Sequence, residues 1–230
     1  MIPERMAVII PVRDEEALLP DCLRAVFRAA DAFRNLHPAV QVDVTVVLDD
    51  CRDASAQVAA EWAGVKVVQT EHRSVGRARQ AGVTASIGSG DPAGFWVANT
   101  DADTTVPANW LTEQYRLASC GYSLVLGTVE PGPGLDPWLR KAWAERNTLG
   151  EHHRQVHGAN LGVAGEALLA AGGFPPLRVH EDTRLVHRVK TAGYSWIAVD
   201  TIRAVTSARS DGRTLGGFAT YLAQLPGRIA

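Results

Sequence analysis

The chain has 230 residues and a formal net charge of −2, so its charge offers no general attraction for nucleic acid. Its 46% hydrophobic and 21% charged residues are ordinary for a soluble globular protein with room for one α/β domain or two small ones. No run approaches the roughly eighteen apolar residues of a membrane-spanning helix, and none is expected.

Met1 to Met6 carry both charge signs and lead straight into a strand pattern, unlike a secretory signal. Cys22, Cys51 and Cys120 are scattered and form no C-x-x-C pair, so reduced thiols in a cytoplasmic protein are expected.

Taken in order, residues 6–12 are a continuous apolar run ending in Pro11-Val12-Arg13, the pattern of a strand buried on both faces. Asp14 is placed to cap a helix whose apolar residues keep helical spacing from Leu18 to Phe33, and His37-Pro38 stops it. A second strand is expected over 42–48, ending in Asp49-Asp50-Cys51-Arg52-Asp53. A helix over 55–62 with Gly64 as its C-terminal cap, a short strand over 65–68 and a helix over 74–87 follow. Gly88 to Pro92 is a loop, and Phe95-Trp96-Val97-Ala98 opens a fourth strand running to Asn99-Thr100-Asp101-Ala102-Asp103. A helix over 110–118 and a strand over 123–129 complete this half. Pro131-Gly132-Pro133-Gly134 then breaks the pattern, as a seam between halves 1–130 and 131–230 of a single domain. Beyond it come a helix over 137–151, an extended stretch over 156–163 and a short helix over 165–171. A tight loop over 172–176, a helix over 181–191, a strand over 194–199 and a closing helix carried by Phe218, Leu222 and Leu225 finish the chain.

Strands and helices alternating at this spacing predict an α/β fold with a mostly parallel sheet and right-handed crossovers. Ligands bind beyond the carboxyl ends of such strands. Three strands end there in polar clusters: Arg13-Asp14-Glu15, Asp49-Asp50 and Asp101-Ala102-Asp103. If the backbone stays extended past Thr100, Asp101 and Asp103 project the same way. Two such carboxylates call for a cation, and a hard divalent ion completed by phosphate oxygens and water fits them. The same residues also describe a solvated turn beside a helix begun at Pro107.

The ordered set of motifs resembles a family 2 glycosyltransferase of the GT-A fold, over most of the chain. It comprises Val8-Ile9-Ile10-Pro11-Val12-Arg13-Asp14-Glu15-Glu16, Val46-Val47-Leu48-Asp49-Asp50, Gly76-Arg77-Ala78-Arg79-Gln80-Ala81-Gly82, Asn99-Thr100-Asp101-Ala102-Asp103, and Gly172-Gly173-Phe174 followed by His180-Glu181-Asp182. The resemblance implies a Rossmann-like, mostly parallel central sheet with helices on both faces. It also implies metal-dependent, inverting transfer of a sugar from a nucleoside-diphosphate donor to an acceptor hydroxyl. On that basis Pro11, Arg13 and Glu15 line the nucleotide pocket, and Asp50 takes the base's ring N–H, which favours uracil or thymine. Arg79 reaches the base or diphosphate, Asp101 binds ribose, and Asp103 binds Mg2+ or Mn2+. The implied catalytic base is Asp182, with Glu181 as its orienting neighbour, while a helix N-terminus also favours both residues electrostatically. UDP-linked donors are favoured over dTDP- or GDP-linked ones.

Two departures from the family pattern stand out. Cys51-Arg52-Asp53 replaces the usual glycine and serine after Asp49-Asp50, and no histidine occupies the C-terminal segment 206–213, where Arg209 and Arg213 are placed either to clamp the diphosphate or to sit in a simple solvated loop. His152, His153 and His157 lack a third ligand at telling spacing for zinc, and the stretch from Val156 to Asn160 is expected on the acceptor side. Trp138 and Trp143 on the seam helix are read as core, with sugar stacking as the alternative. The competing chemistries are a haloacid-dehalogenase-type phosphatase built on Asp101 and Asp103, a nucleotidyltransferase, and a non-catalytic nucleotide-sugar or glycan-binding module. The acceptor stays open among small molecules, glycans and lipid-linked sugars; a lipid acceptor would be met at the membrane surface. No nucleic-acid partner is expected, and oligomeric state is not legible.

Overall fold

The apolar runs of the first half become four adjacent parallel strands in the computed structural model, which describes residues 2–209 and 218–225. These are β1 (Arg5–Val12), β2 (Gln41–Asp49), β3 (Val65–Thr70) and β4 (Phe95–Asn99), with β1 in register between β2 and β4. The second half continues the sheet with β7 (Leu161–Ala164), antiparallel to both β4 and β6 (Leu124–Pro131). Beyond β6 lies β8 (Trp196–Thr206), parallel to it, and a two-residue β5 (Thr104–Thr105) closes the edge antiparallel to β8. The eight-stranded order is β3-β2-β1-β4-β7-β6-β8-β5.

The order reverses after β3. Right-handed crossovers therefore put α1 (Leu19–Leu36) and α2 (Ser55–Ala60) on one face and α3 (Val75–Ile87) on the other. α4 (Trp110–Ser119) packs with α1, while α6 (Gly165–Ala170) and α7 (Glu181–Thr191) pack with the α3 side. The main core draws on both halves of the chain, from Met6 to Ala204. A smaller cluster joins Leu135, Ala142 and Trp143 to Leu222 and Leu225, uniting α5 (Pro137–Arg146) with α8 (Phe218–Ala223). Trp143 is thus core, whereas Trp138 is 38% exposed.

Several local expectations are corrected. Asp14 does not cap α1: it sits at φ +52 and accepts the Arg52 backbone N–H at 2.6 Å, so a turn over residues 16–18 precedes the helix. α2 ends at Ala60, with Glu61 rather than Gly64 at its C-terminal cap. α5 stops at Arg146, not 151, because Asn147 is extended there and donates its side-chain amide to Trp143 O (2.8 Å). Residues 158–160 form a 3-10 turn before β7. β8 runs to Thr206, well beyond the expected 199, because β6 and β5 pair with its far end. No helix among the described residues is long and apolar enough to cross a membrane. None of the three cysteines is in a disulfide.

Candidate active site

A cleft of about 810 Å³ opens at the carboxyl ends of the strands, within the size range of small-molecule sites. All the site residues expected from the sequence line it except Asp50. Arg213 lies outside the described residues.

Asp101 and Asp103 reach the cleft by a different route from strand alternation. β4 ends at Asn99, and Asp101 O accepts the Thr104 N–H (3.1 Å), turning the chain into β5. Ala102 points into the core at 3% exposure and leaves its two neighbours outward. The turn is pinned from β8, since Ser207 N–H donates to Asp103 O (2.9 Å) and the Thr104 and Thr206 hydroxyls meet at 3.0 Å. The two aspartates then face different cations. Asp101 Oδ1 accepts from Arg79 Nη2 at 2.6 Å, while Asp103 Oδ2 lies 3.0 Å from Arg209 Nη2. Arg209 also grips Glu15 with both guanidinium nitrogens, Nη1 at 2.7 Å from Oε2. Burial, reinforced by Asp101, pushes the Asp103 carboxyl up to about 6, against the pull of Arg209.

Arg79 is neither solvated nor extended toward a ligand. It is 1% exposed, and its Nε donates to Glu181 Oε1 at 3.2 Å while Nη2 holds Asp101. Burial opposes its charge, but Asp101 and Glu181 outweigh that cost and hold its pKa above the usual value. Burial raises the Glu181 carboxyl, with Arg79 pulling the other way. Arg79 is therefore a brace between the turn after β4 and the start of α7.

The base candidates arrive on α7 because α3 and the preceding loop interlock. Leu177 O accepts both the Gly76 N–H (3.1 Å) and the Ser74 hydroxyl (2.8 Å), and Gln80 Oε1 accepts the Phe174 N–H (2.8 Å). A Cβ on Gly76 would lie 2.0 Å from Pro175 O, so only glycine permits this approach. His180 at the N-cap of α7 is left-handed, at φ +63, a strain tolerated mainly where surrounding structure enforces it. Asp182 Oδ2 accepts the Gly158 N–H (2.7 Å), and its Oδ1 accepts the Thr183 N–H (2.6 Å). A Cβ on Gly158 would lie 2.5 Å from Arg79 Nη2, so this glycine lets Arg79 and Asp182 sit side by side.

At the end of β2, Asp49 rather than Asp50 forms the cleft wall. It is 4% exposed and accepts the Thr70 hydroxyl and the backbone N–H groups of His72, Arg73 and Ser74 at 2.6–3.0 Å, anchoring that loop. Asp50, at φ +57, turns outward to Arg73 Nε (2.6 Å), and this hydrogen bond holds its carboxyl below the usual range.

Asn160, expected on the acceptor side of the cleft, instead lies outside it. Fully buried, it donates to Thr128 O (2.8 Å) and Ile202 O (2.7 Å) and accepts from Trp110 Nε1 (2.8 Å), filling the irregularity between β6 and β8. An asparagine inside an apolar stretch was the available signal. His153 is likewise structural, with Nε2 3.1 Å from Leu126 O and Nδ1 accepting the Gln155 N–H.

The family model for glycosyl transferase family 2 matches residues 7–168. The chain belongs to glycosyltransferase family 2. No curated protein sequence matches it. Among solved structures, residues 1–349 of S. aureus TarS are similar with a TM-score of 0.65 at 14% identity, over 90% of this chain and 61% of that one. Mannosyltransferase PcManGT from Pyrobaculum calidifontis, in complex with GDP-Man and Mn2+, gives 0.65 at 20%, over 91% and 59%. Glucosyl-3-phosphoglycerate synthase from Mycobacterium tuberculosis, in complex with Mn2+, UDP and glucosyl-3-phosphoglycerate, gives 0.57 at 17%, over 86% and 71%. The chain thus spans about 60% of the length of the first two. At these identities the likeness establishes the shared GT-A fold, and family membership sets aside the phosphatase and nucleotidyltransferase readings.

Proposed function

We propose that this family 2 protein is a metal-dependent, inverting glycosyltransferase using a UDP-linked sugar, with Asp182 as the base. The observation that carries the reading is the convergence of Glu15, Asp101, Asp103 and the Glu181-Asp182 pair on one cleft at the strand ends. A hard divalent cation fits the donor set, because Asp103 and Glu15 offer only oxygens and already draw in the Arg209 guanidinium. Held by Asp103, Mg2+ or Mn2+ would supply charge neutralisation and Lewis acidity at the departing diphosphate.

The remaining work belongs to the chain itself. Arg79 keeps Asp101 beside the ribose position. Arg209, released from Glu15 and Asp103, is within the same wall to meet phosphate oxygens. Asp182 Oδ2 takes the acceptor hydroxyl's proton as the acceptor oxygen bonds to the anomeric carbon. The bond from that carbon to the diphosphate breaks with its electron pair leaving on UDP. Glu181, fixed by Arg79, keeps α7 in place for this step.

The test is turnover of a panel of UDP-, dTDP- and GDP-sugars with Mn2+ or Mg2+, with the product's anomeric configuration read by NMR. An α-linked UDP-sugar should yield a β-linked product. A retained configuration, or no sugar-nucleotide cleavage with any donor, would overturn the proposal.

A further inference from the structure

The cleft has a second half that the donor reading does not use. Stretches 129–159 and 218–221 contribute Val129, Asn147, Gln155, His157, Phe218 and Tyr221 to its wall and, among the described residues, no lysine, arginine or carboxylate. Every described cleft arginine belongs to the first half or to the loops at 178 and 209. The charge of Arg79 is already balanced by Asp101 and Glu181. An anionic acceptor entering here would meet Asp182 and Asp101, and this wall adds no cation of its own to Arg178 and Arg209 on the neighbouring loops.

What this half offers is aromatic surface and hydrogen-bonding atoms. His157 and Phe218 meet edge to face with centroids 6.5 Å apart, and Tyr221 lies 6.3 Å beyond Phe218. Asn147 Nδ2 donates to the Tyr221 hydroxyl at 2.7 Å, fixing the ring and leaving the phenolic proton to donate elsewhere. His157 Nε2 lies 3.2 Å from Gln155 Oε1, an atom that can only accept, so the ring proton is assigned to Nε2. Nδ1 then carries a lone pair and has no partner among the described residues. Burial lowers the His157 pKa despite the nearby Asp182, which keeps this lone pair available near neutrality. Placement ties the group to the reaction: the peptide after His157 supplies the N–H that holds Asp182 Oδ2.

Building on the glycosyltransferase reading, we propose that the acceptor is an uncharged, hydroxylated ring, a neutral sugar or cyclic polyol. Its C–H face lies on Phe218 and Tyr221, and one hydroxyl donates to His157 Nδ1 while its neighbour is presented to Asp182. Aromatic faces carry partial negative charge and suit the weakly positive C–H face of a sugar, whereas they give a phosphate nothing. His157 is thus a specificity residue and not the base.

Saturation-transfer NMR on the intact protein tests this without requiring turnover. The probes are methyl β-D-glucopyranoside, methyl α-D-mannopyranoside and myo-inositol, set against 3-phosphoglycerate and glycerol. Ring protons of at least one neutral probe should receive saturation, and 3-phosphoglycerate should receive none. His157→Phe keeps ring and volume but removes the nitrogen, and should weaken that signal about tenfold; Tyr221→Ala should abolish it. The UDP-induced shift in melting temperature should be unchanged in both variants. Preferential binding of 3-phosphoglycerate, no binding of any neutral ring, or a signal indifferent to both substitutions would overturn the inference. Loss of UDP binding in the wild type would instead count against the donor reading, so the two failures are separable.

Discussion

The two halves of the cleft solve different problems. The proposed donor half is dense with charge and almost closed on itself: Arg79 joins Asp101 to Glu181, and Arg209 joins Glu15 to Asp103. The proposed acceptor half has, among the described residues of stretches 129–159 and 218–221, aromatic rings, amides and one histidine but no lysine, arginine or carboxylate. On the proposed reading, a nucleoside diphosphate and its cation impose one set of electrostatic demands, and carboxylates fixed at strand ends would meet them. An acceptor of the proposed kind imposes shape and a pattern of hydroxyls, which surfaces from helices and loops would read. The two halves meet where the Gly158 N–H holds Asp182 beside the buried Arg79.

The sharpest way to separate the halves is at their junction. Asp182→Asn should lower transfer by roughly a hundred- to ten-thousand-fold while the UDP dissociation constant stays within a few-fold, measured by UDP release and calorimetry. A parallel loss of UDP affinity would put Asp182 in the donor half instead.

Arg79→Met should remove the brace. Two carboxylates lose their cation, Glu181 in a site only 5% exposed, so a cost of about 3–5 kcal/mol is expected. That corresponds to a melting temperature lower by roughly 6–20 °C for a chain this size. A variant melting within a degree or two of wild type would show that the brace carries no net stability.

The smallest effect has the opposite sign. Asp103 has a folded pKa of about 6 against an ordinary 3.8, so the native state resists its ionisation. This group's contribution is neutral below about pH 4, becomes destabilising as pH rises through 6, and stays so above. Asp103→Asn in metal-free protein should therefore melt higher than wild type at pH 7.5, by at most about 3 kcal/mol in stability, and equally at pH 4. A lower melting temperature at pH 7.5 would mean that the Arg209 pairing outweighs the burial cost.

The same division decides what was legible from sequence. The donor half announced itself because carboxylates at strand ends are local features, and α7 runs over Glu181–Thr191 as its acidic start and apolar spacing indicated. Even so, the reason for the Asp101 and Asp103 geometry was wrong, since a turn and β5 produce it. β5 is two residues long and exists only because β8, about a hundred residues later, pairs with it. Arg79 was expected to reach the base or diphosphate; its role as a buried brace was not legible, because arginine is almost never fully buried without partners and its partners come from two distant segments. Of the proposed acceptor half, only the stretch from Val156 to Ala159 was legible; Asn160, expected there too, is buried in the sheet instead. Its aromatic wall needs α8 folded back against α5, a tertiary event with no local signature.

The most direct test of the central claim is a thermal-shift titration of UDP, dTDP and GDP with the wild-type protein, with and without Mn2+. The account predicts stabilisation by UDP that requires the metal, is weaker with dTDP and GDP, and is lost in Asp103→Asn. Equal stabilisation by UDP in the absence of metal, or no shift with any nucleoside diphosphate, would contradict it.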